Sequence, residues 1–467
     1  MNENNHSLIK GPIYPALVKL ALPIMGTSFL QMAYNLTDLL WIGRIGSQAV
    51  AAVGTAGFYL WFGFAFILMT KVGAEVRVAQ SIGSGEREKA LIYGRNAIGM
   101  TLVFAFFYSM VLFIFNKSLI GFFNIDDPIV VTGGMNYLKI VAYGIPFMFL
   151  INVTTGIFNG YGDSKTPFLI TAVGLVFNMI LDPLMIFGIG PFPALGIKGA
   201  AYATVASMII VVIVYISYLG VKKRPFKLSE LIGKPRPDII VEILKLGLPV
   251  ALHSAAFTTF SMIIARIIAN WGPIPIAVQK VGSQIEAISW MTASGFSTAL
   301  SSFTGQNYGA DNWKRIWKGY LAAMSIMGTI GILTTALLIL GASPLFKLFI
   351  PEKEALSYGV TYLRILGLSQ FFMCIEITTS GAFNGLGKTL PPSLTSIILT
   401  GARVPAAWIL SQEALLGLNG IWWSISMSSV LKGIVLVILF AIFMWKHPRI
   451  DNNEVVTTIR NKLTMTK

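Results

Sequence analysis

Two aspartates and an asparagine stand where an apolar chain has least use for them. Asp38 lies within the run MAYNLTDLLWIG, and Asp182 lies within FNMILDPLMIFG, one helical turn after Asn178. A carboxylate at the centre of a membrane helix costs roughly 2.5 to 3.5 kcal/mol even on lenient insertion scales, so its presence asks for a reason. The Asn-x-x-x-Asp spacing puts both side chains on one face of a helix. Pro183 follows directly and lacks a backbone N–H, which frees the carbonyl one turn earlier. Two acids, an amide and a freed carbonyl are all oxygen donors, a set suited to a proton or a hard cation such as Na+. A plainer reading stays open at this point: Pro183 and Gly188 could end the helix early, leaving Asp182 as a cap near an interface, and Asp38 could cap in the same way.

The second half distributes its charges differently. Glu286, Glu376 and His253 fall in apolar stretches. Glu286 and Glu376 are candidates for a further coupling role, although Glu376 could simply neutralise Arg403 between helices. His253 could relay protons or serve as a polar helix contact. Cys374 is the only cysteine, so it forms no internal disulfide and reads as packing. Two patterns that resemble enzyme motifs do not hold up. Ala382 to Thr389 (AFNGLGKT) fits a relaxed phosphate-loop pattern, but a working loop follows a strand, and here it follows an apolar span. Gly295-Phe296-Ser297 with His253 hints at an intramembrane protease, yet small and hydroxyl residues are ordinary at helix contacts in lipid. The expectation is a non-enzyme with no cofactor and no dedicated metal centre, apart from H+ or Na+ itself.

The elements that must hold these residues are membrane helices. The chain is 55% hydrophobic and 12% charged, with a mean hydropathy of +0.72, against a charged share of about 25% in soluble domains. Runs such as Met100 to Phe115 and Gly433 to Trp445 are apolar on every face, as helices in lipid are. About twelve spans are expected, near residues 15–40, 50–78, 93–115, 135–159, 166–188, 197–221, 240–268, 276–304, 316–342, 360–383, 390–411 and 420–446. The start, MNENNHSLIKGP, lacks the charged region and cleavage site of a signal peptide.

The spans come as two copies of one pattern. Leu17 to Pro23 (LVKLALP) returns as Ile243 to Pro249 (ILKLGLP), and Gln80 to Gly83 (QSIG) as Gln306 to Gly309 (QNYG). Phe158 to Gly162 (FNGYG) returns as Phe383 to Gly387 (FNGLG), and Gly196 to Tyr202 as Gly417 to Trp423. The copies lie about 225 positions apart, and a repeat on this scale in an apolar chain is how many transporters are built. Aligning them puts Ile264 near Asp38, Arg403 at Asn178 and Ala407 at Asp182. The expected organisation is an N-terminal lobe over 1–221, a linker over 222–238, a C-terminal lobe over 239–447 and a tail over 448–467.

Basic residues mark one membrane face. Arg77, Arg87, Lys89 and Arg95 flank one loop, six more fill the linker from Lys222 to Arg236, and Lys314, Arg315, Lys318, Lys446, Arg449, Arg460 and Lys462 complete that side. Alternate loops carry acids instead: Asp126, Asp127, Glu352, Glu354 and Glu413. Both termini are therefore expected in the cytoplasm. The same bias accounts for the net charge of +15, so the basicity speaks for anionic lipid headgroups and not for nucleic acid.

With these motifs the chain resembles the multidrug and toxic compound extrusion (MATE) family. The resemblance rests on YNLTDLLWIGRIG in the first span, Gln-x-x-Gly after spans two and eight, and FNGxG after spans four and ten, and it covers about residues 10 to 447. It implies an all-α integral membrane protein of two six-helix lobes around a V-shaped cleft, related by a two-fold axis along the membrane normal. It implies export of bulky, cationic or amphipathic compounds in exchange for H+ or Na+, as a monomer in the cell membrane. It also implies that Asp38, Asn178 and Asp182 form the coupling site, with Gln31, Tyr34 and Asn152 lining the cavity. The C-lobe acids of the Na+-coupled branch match less well: Glu376 sits several residues nearer FNGLG, and span seven offers His253 in place of a Glu. The rival is a flippase of lipid-linked precursors, whose cavity would need several cationic residues to hold pyrophosphate.

Overall fold

A computed structural model describes residues 8–220, 228–231, 233–350 and 352–447. Lys222, Lys223, Arg224 and Lys227 of the linker, and the tail with Arg449, Arg460 and Lys462, lie outside the described residues. Within them the chain is helical throughout. The first half comprises α1 (Ile13–Gly43), α2 (Ser47–Gly83), α3 (Arg87–Gly121), α4 (Pro128–Ala142), α5 (Ile145–Tyr161), α6 (Lys165–Phe187) and α7 (Ile197–Gly220). A short 3₁₀ turn at Leu228–Leu231 precedes the second half. There follow α8 (Pro237–Ala269), α9 (Pro273–Gly309), α10 (Trp313–Leu340), α11 (Ala342–Lys347), α12 (Lys353–Gly367), α13 (Gln370–Gly385), α14 (Leu390–Leu410) and α15 (Leu418–Trp445).

The helices group into two compact units. Of the described residues, those within 22–82 and 86–251 form the N unit, and those within 8–21, 83–85 and 252–447 form the C unit. The division therefore runs through α1 and α8, close to the repeated Pro23 and Pro249, and not along the linker. Each unit has its own core. In the N unit Phe149, Phe158, Leu138 and Ile67 are fully buried. In the C unit Trp422, Phe346, Leu363 and Phe440 play that part.

Among the described residues nine helices are individually long and apolar enough to cross a membrane, and counting each of two bent pairs as one span brings the number to eleven. The pairs are α4 with α5, bent by 53°, and α12 with α13, bent by 48°, the fourth and tenth expected spans. Irregular backbone at membrane depth must find substitutes for its lost hydrogen bonds. At the first break Pro146 begins a new helix. At the second the Ser369 hydroxyl and the Gln370 amide both donate to the Leu366 carbonyl, at 2.9 and 3.1 Å. The expected eighth span falls on α9, which is long enough at 37 residues but is not among those candidate spans, being more polar, with Gln279, Lys280, Gln284 and Glu286 in its first half.

The repeated FNGxG motif has a structural cause. Its last glycine ends the helix in the left-handed region, Gly162 at φ 92° and Gly387 at φ 72°. Its middle glycine lets two helices touch: a Cβ on Gly160 would lie 2.4 Å from the Glu75 carbonyl, and one on Gly385 2.4 Å from the Ser301 carbonyl. The segment AFNGLGKT is thus a helix end followed by a turn, with no strand before it. Outside the spans, Asp127 caps α4 by accepting from the Ile129 N–H at 2.8 Å and from the Gln48 amide at 2.7 Å. These donors hold its carboxyl below the usual carboxylate range.

Candidate functional site: a paired acid in the N unit and an ion-paired cluster in the C unit

In the N unit, α1, α4, α6 and α7 bring the predicted acids together. Asp38 sits inside α1 and Asp182 inside α6, five residues before the helix ends at Phe187. The left-handed Gly188 terminates α6, so neither acid is a cap. Asn178 and Asp182 are fully buried, and the Asn178 Nδ2 donates to Asp182 Oδ1 at 3.3 Å. The Asp38 and Asp182 carboxyls lie close enough to interact electrostatically. The Tyr34 hydroxyl donates to Thr204 Oγ1 at 3.1 Å. Tyr137 reaches the same threonine and lies close to both acids.

This site has unused acceptors. Asp38 Oδ1, Asn178 Oδ1 and Asp182 Oδ2 are buried without a hydrogen-bond partner among the described residues. Buried polar groups in folded proteins are almost always satisfied, so three orphan oxygens in one place point to something that comes and goes. No group of three His, Cys, Asp or Glu converges as a metal-ligand set among the described residues. The donors present fit a proton, or a monovalent hard cation held by carboxylate, amide and hydroxyl oxygens. Of the other expected residues, Gln31 is exposed on α1. Asn152 is half-buried and donates to the Met148 carbonyl of its own helix at 3.0 Å.

The C unit carries a mixed cluster. Glu376 on α13 pairs with Lys432 on α15 at 3.0 Å, both more than nine-tenths buried, and accepts from the Ser396 hydroxyl at 3.3 Å. The expected pairing of Glu376 with Arg403 is therefore corrected. Lys432 reaches the glutamate, while Arg403 donates from Nε to Ser428 Oγ at 2.8 Å and from Nη2 to Ser429 Oγ at 3.5 Å. Glu286 on α9 accepts from the Gln370 amide at 3.3 Å, with Tyr362 close by. His253 is half-buried on α8, within electrostatic reach of Glu376 and Lys432.

Sequence reading missed Tyr137, Thr204 and Lys432. Tyr137 had a signal, since Tyr137 to Ile140 (YLKI) returns as Tyr362 to Ile365 (YLRI). Each copy puts a tyrosine beside its own unit's acids.

The sequence profile of the MatE family matches residues 23–184 and 249–409, once in each half of the repeat. The chain belongs to the MatE family. It is 28% identical over 443 residues to the probable multidrug resistance protein NorM of Thermotoga maritima, covering 94% of both chains. Among solved structures it resembles an outward-facing multidrug resistance MATE family transporter of the MOP superfamily, with a TM-score of 0.88 at 25% identity over 95% of this chain and 98% of the other. It also resembles a MOP superfamily transporter from Pyrococcus furiosus, described as having a binding pocket of reverse polarity that suggests a different function, with a TM-score of 0.87 at 25% identity over 95% and 98%. This MatE protein is thus a multi-pass membrane transporter of the multidrug efflux type, built on the family's repeated fold, and acts on small molecules.

Proposed function

We propose that the protein is a secondary active antiporter that exports cationic and amphipathic compounds in exchange for H+ or Na+ by alternating access. The carrying observation is the set of three orphan oxygens on Asp38, Asn178 and Asp182. Two acids close together in a low-dielectric site resist carrying two negative charges at once, so one exchangeable cation binds there readily. A proton bridges the two carboxyls; Na+ would be held by the same oxygens, with the Tyr34 hydroxyl nearby. Cation and positively charged cargo then compete for one negative site, which is what exchange requires. Gln31, Tyr34 and Asn152 contact cargo, and Tyr137 stands close to both acids.

Both termini lie in the cytoplasm under this reading, the 222–238 segment links two lobes there, and the monomer works in the plasma membrane among anionic lipids. No cofactor beyond the coupling ion takes part. The flippase alternative gains nothing from an acidic N-unit site. In the C unit, Glu376 is neutralised by Lys432 and serves structure. Glu286, with Oε1 buried and unpartnered, is the residue to which coupling would pass if the N-unit acids proved idle. Dye uptake into inverted vesicles under separately imposed proton and sodium gradients tests the proposal. One gradient should drive uptake in the wild type and fail in Asp38→Asn; uptake by the variant at the wild-type rate rejects the site.

A further inference from the structure

The chain just ahead of α1 is strapped to the C unit by one arginine. Residues 8–11 are not helical, so their carbonyls must find donors outside a helix. Arg315, in the first turn of α10, supplies three: Nε donates to the Leu8 carbonyl at 3.0 Å, Nη1 to that of Gly11 at 2.8 Å and Nη2 to that of Lys10 at 3.2 Å. The fully buried Asn307, near the end of α9, adds a second bond to the Leu8 carbonyl, from Nδ2 at 3.0 Å. Leu8 itself is buried, and the guanidinium lies over the Phe303 ring, 5.4 Å from its centroid. Bonds from a charged planar fork are about twice as strong as neutral ones. A segment of four residues outside any helix is thus held at four points.

The strap decides which unit holds the start of α1. Residues 8–21 belong to the C unit, and from Leu22 the same helix belongs to the N unit, where it carries Asp38. The repeat has a counterpart. The first turns of α8 belong to the N unit, where Glu242 pairs with Arg77 at 3.1 Å and accepts from the Tyr93 hydroxyl at 2.6 Å. Each unit therefore grips the start of a helix whose remainder belongs to the other. Only α1 also carries a coupling acid, since Ile264 stands near the matching place on α8.

We propose that Arg315 is a positioning residue for transport: its grip on the strap passes the state of Asp38, through α1, to the C unit. This rests on the exchange of ion and cargo at the Asp38–Asp182 pair. Coupling between distant sites runs through packed elements and hydrogen-bond networks, and a helix without its anchor passes nothing on. Variants of the full-length protein are read twice. Titration of rhodamine 123 in detergent gives dye affinity, its change with sodium, and proton release from the heats in two buffers; ion-driven dye uptake into inverted vesicles gives the transport rate. Arg315→Met keeps an apolar stem over Phe303 and loses every donor. It should bind dye within about twofold of wild type, with the same response to buffer or sodium. Its maximal uptake rate should fall at least about tenfold, as the loss of more than one charge-assisted bond implies. Arg315→Lys keeps the charge without the fork and should fall between. Lys10→Ala should transport as the wild type does, because only the carbonyl of that residue is gripped. Uptake by Arg315→Met at the wild-type rate overturns the proposal. So does loss of dye binding along with uptake in both Arg315 variants, which would make the arginine a support of the fold alone. If only Arg315→Met fails to bind, Arg315→Lys decides: full binding with reduced uptake upholds the anchor, and full uptake overturns it. Wild-type binding that answers to neither buffer nor sodium would sink the shared ion site itself, and this proposal with it.

Discussion

Asn178 and Asp182 stand one turn apart on α6, fully buried and joined by a 3.3 Å hydrogen bond from amide to carboxylate. That bond occupies Asp182 Oδ1 and leaves Oδ2 without a partner among the described residues, with Asp38 on α1 close enough to interact electrostatically. It makes the two acids of the N unit a single chemical object, and the first expectation follows from that unity.

Asp38→Asn and Asp182→Asn should each abolish ion-coupled efflux, and the double variant should cost little more than either alone. Residues acting as one unit are strongly non-additive. Vesicle efflux rates for the four proteins, at matched membrane insertion, decide it; additive losses would mean two separate sites.

Lys432 and Glu376 should behave as a buried ion pair. Lys432→Met leaves an uncompensated carboxylate and should destabilise the C unit by about 3 to 5 kcal/mol, whereas Lys432→Met with Glu376→Leu should recover most of it. Thermal unfolding in detergent reads both. A double variant as unstable as the single one would show that packing, not charge, is at stake.

Gly160 should not tolerate a side chain. Gly160→Ala pushes a methyl group into the Glu75 carbonyl, whose oxygen would lie 2.4 Å away, and overpacking of this kind costs about 1 to 3 kcal/mol. Gly99 on α3 has nothing within 4 Å of its would-be Cβ. Gly99→Ala should be neutral or stabilising by up to about 1 kcal/mol. Equal melting temperatures for the two variants would refute the close-approach account of the motif.

Orientation is checked by labelling. In a variant without Cys374, a cysteine at Ser229 should react with impermeant thiol reagents only in inverted vesicles, and one at Glu352 only in intact cells. The reverse pattern would invert the topology drawn from the basic residues.

Much of this protein was legible in its sequence because lipid leaves the chain few options. Apolar length announced the spans, and the cost of a buried carboxylate singled out Asp38 and Asp182. Periodicity alone put Asn178 on the face of Asp182. The bends within spans four and ten escaped notice, since a broken helix keeps the composition of a straight one. Lys432 escaped because it borders the apolar run from Gly433, and Glu376 was matched to the wrong cation. One sequence gives helix faces but not which helices are neighbours, and the choice between Arg403 and Lys432 depends on neighbours. The division of units through α1 and α8 was hidden for the same reason.

The central claim is that ion and cargo exclude each other at the Asp38–Asp182 pair. Isothermal titration of rhodamine 123 into the purified protein, in two buffers of different ionisation enthalpy at matched sodium, tests it most directly. The account predicts that dye binding expels protons, so that the observed heat changes with the buffer, or that added sodium weakens binding if Na+ is the ion. Either effect should vanish in the Asp38→Asn, Asp182→Asn variant. Heats identical in both buffers, together with no competition from sodium, would contradict the shared site.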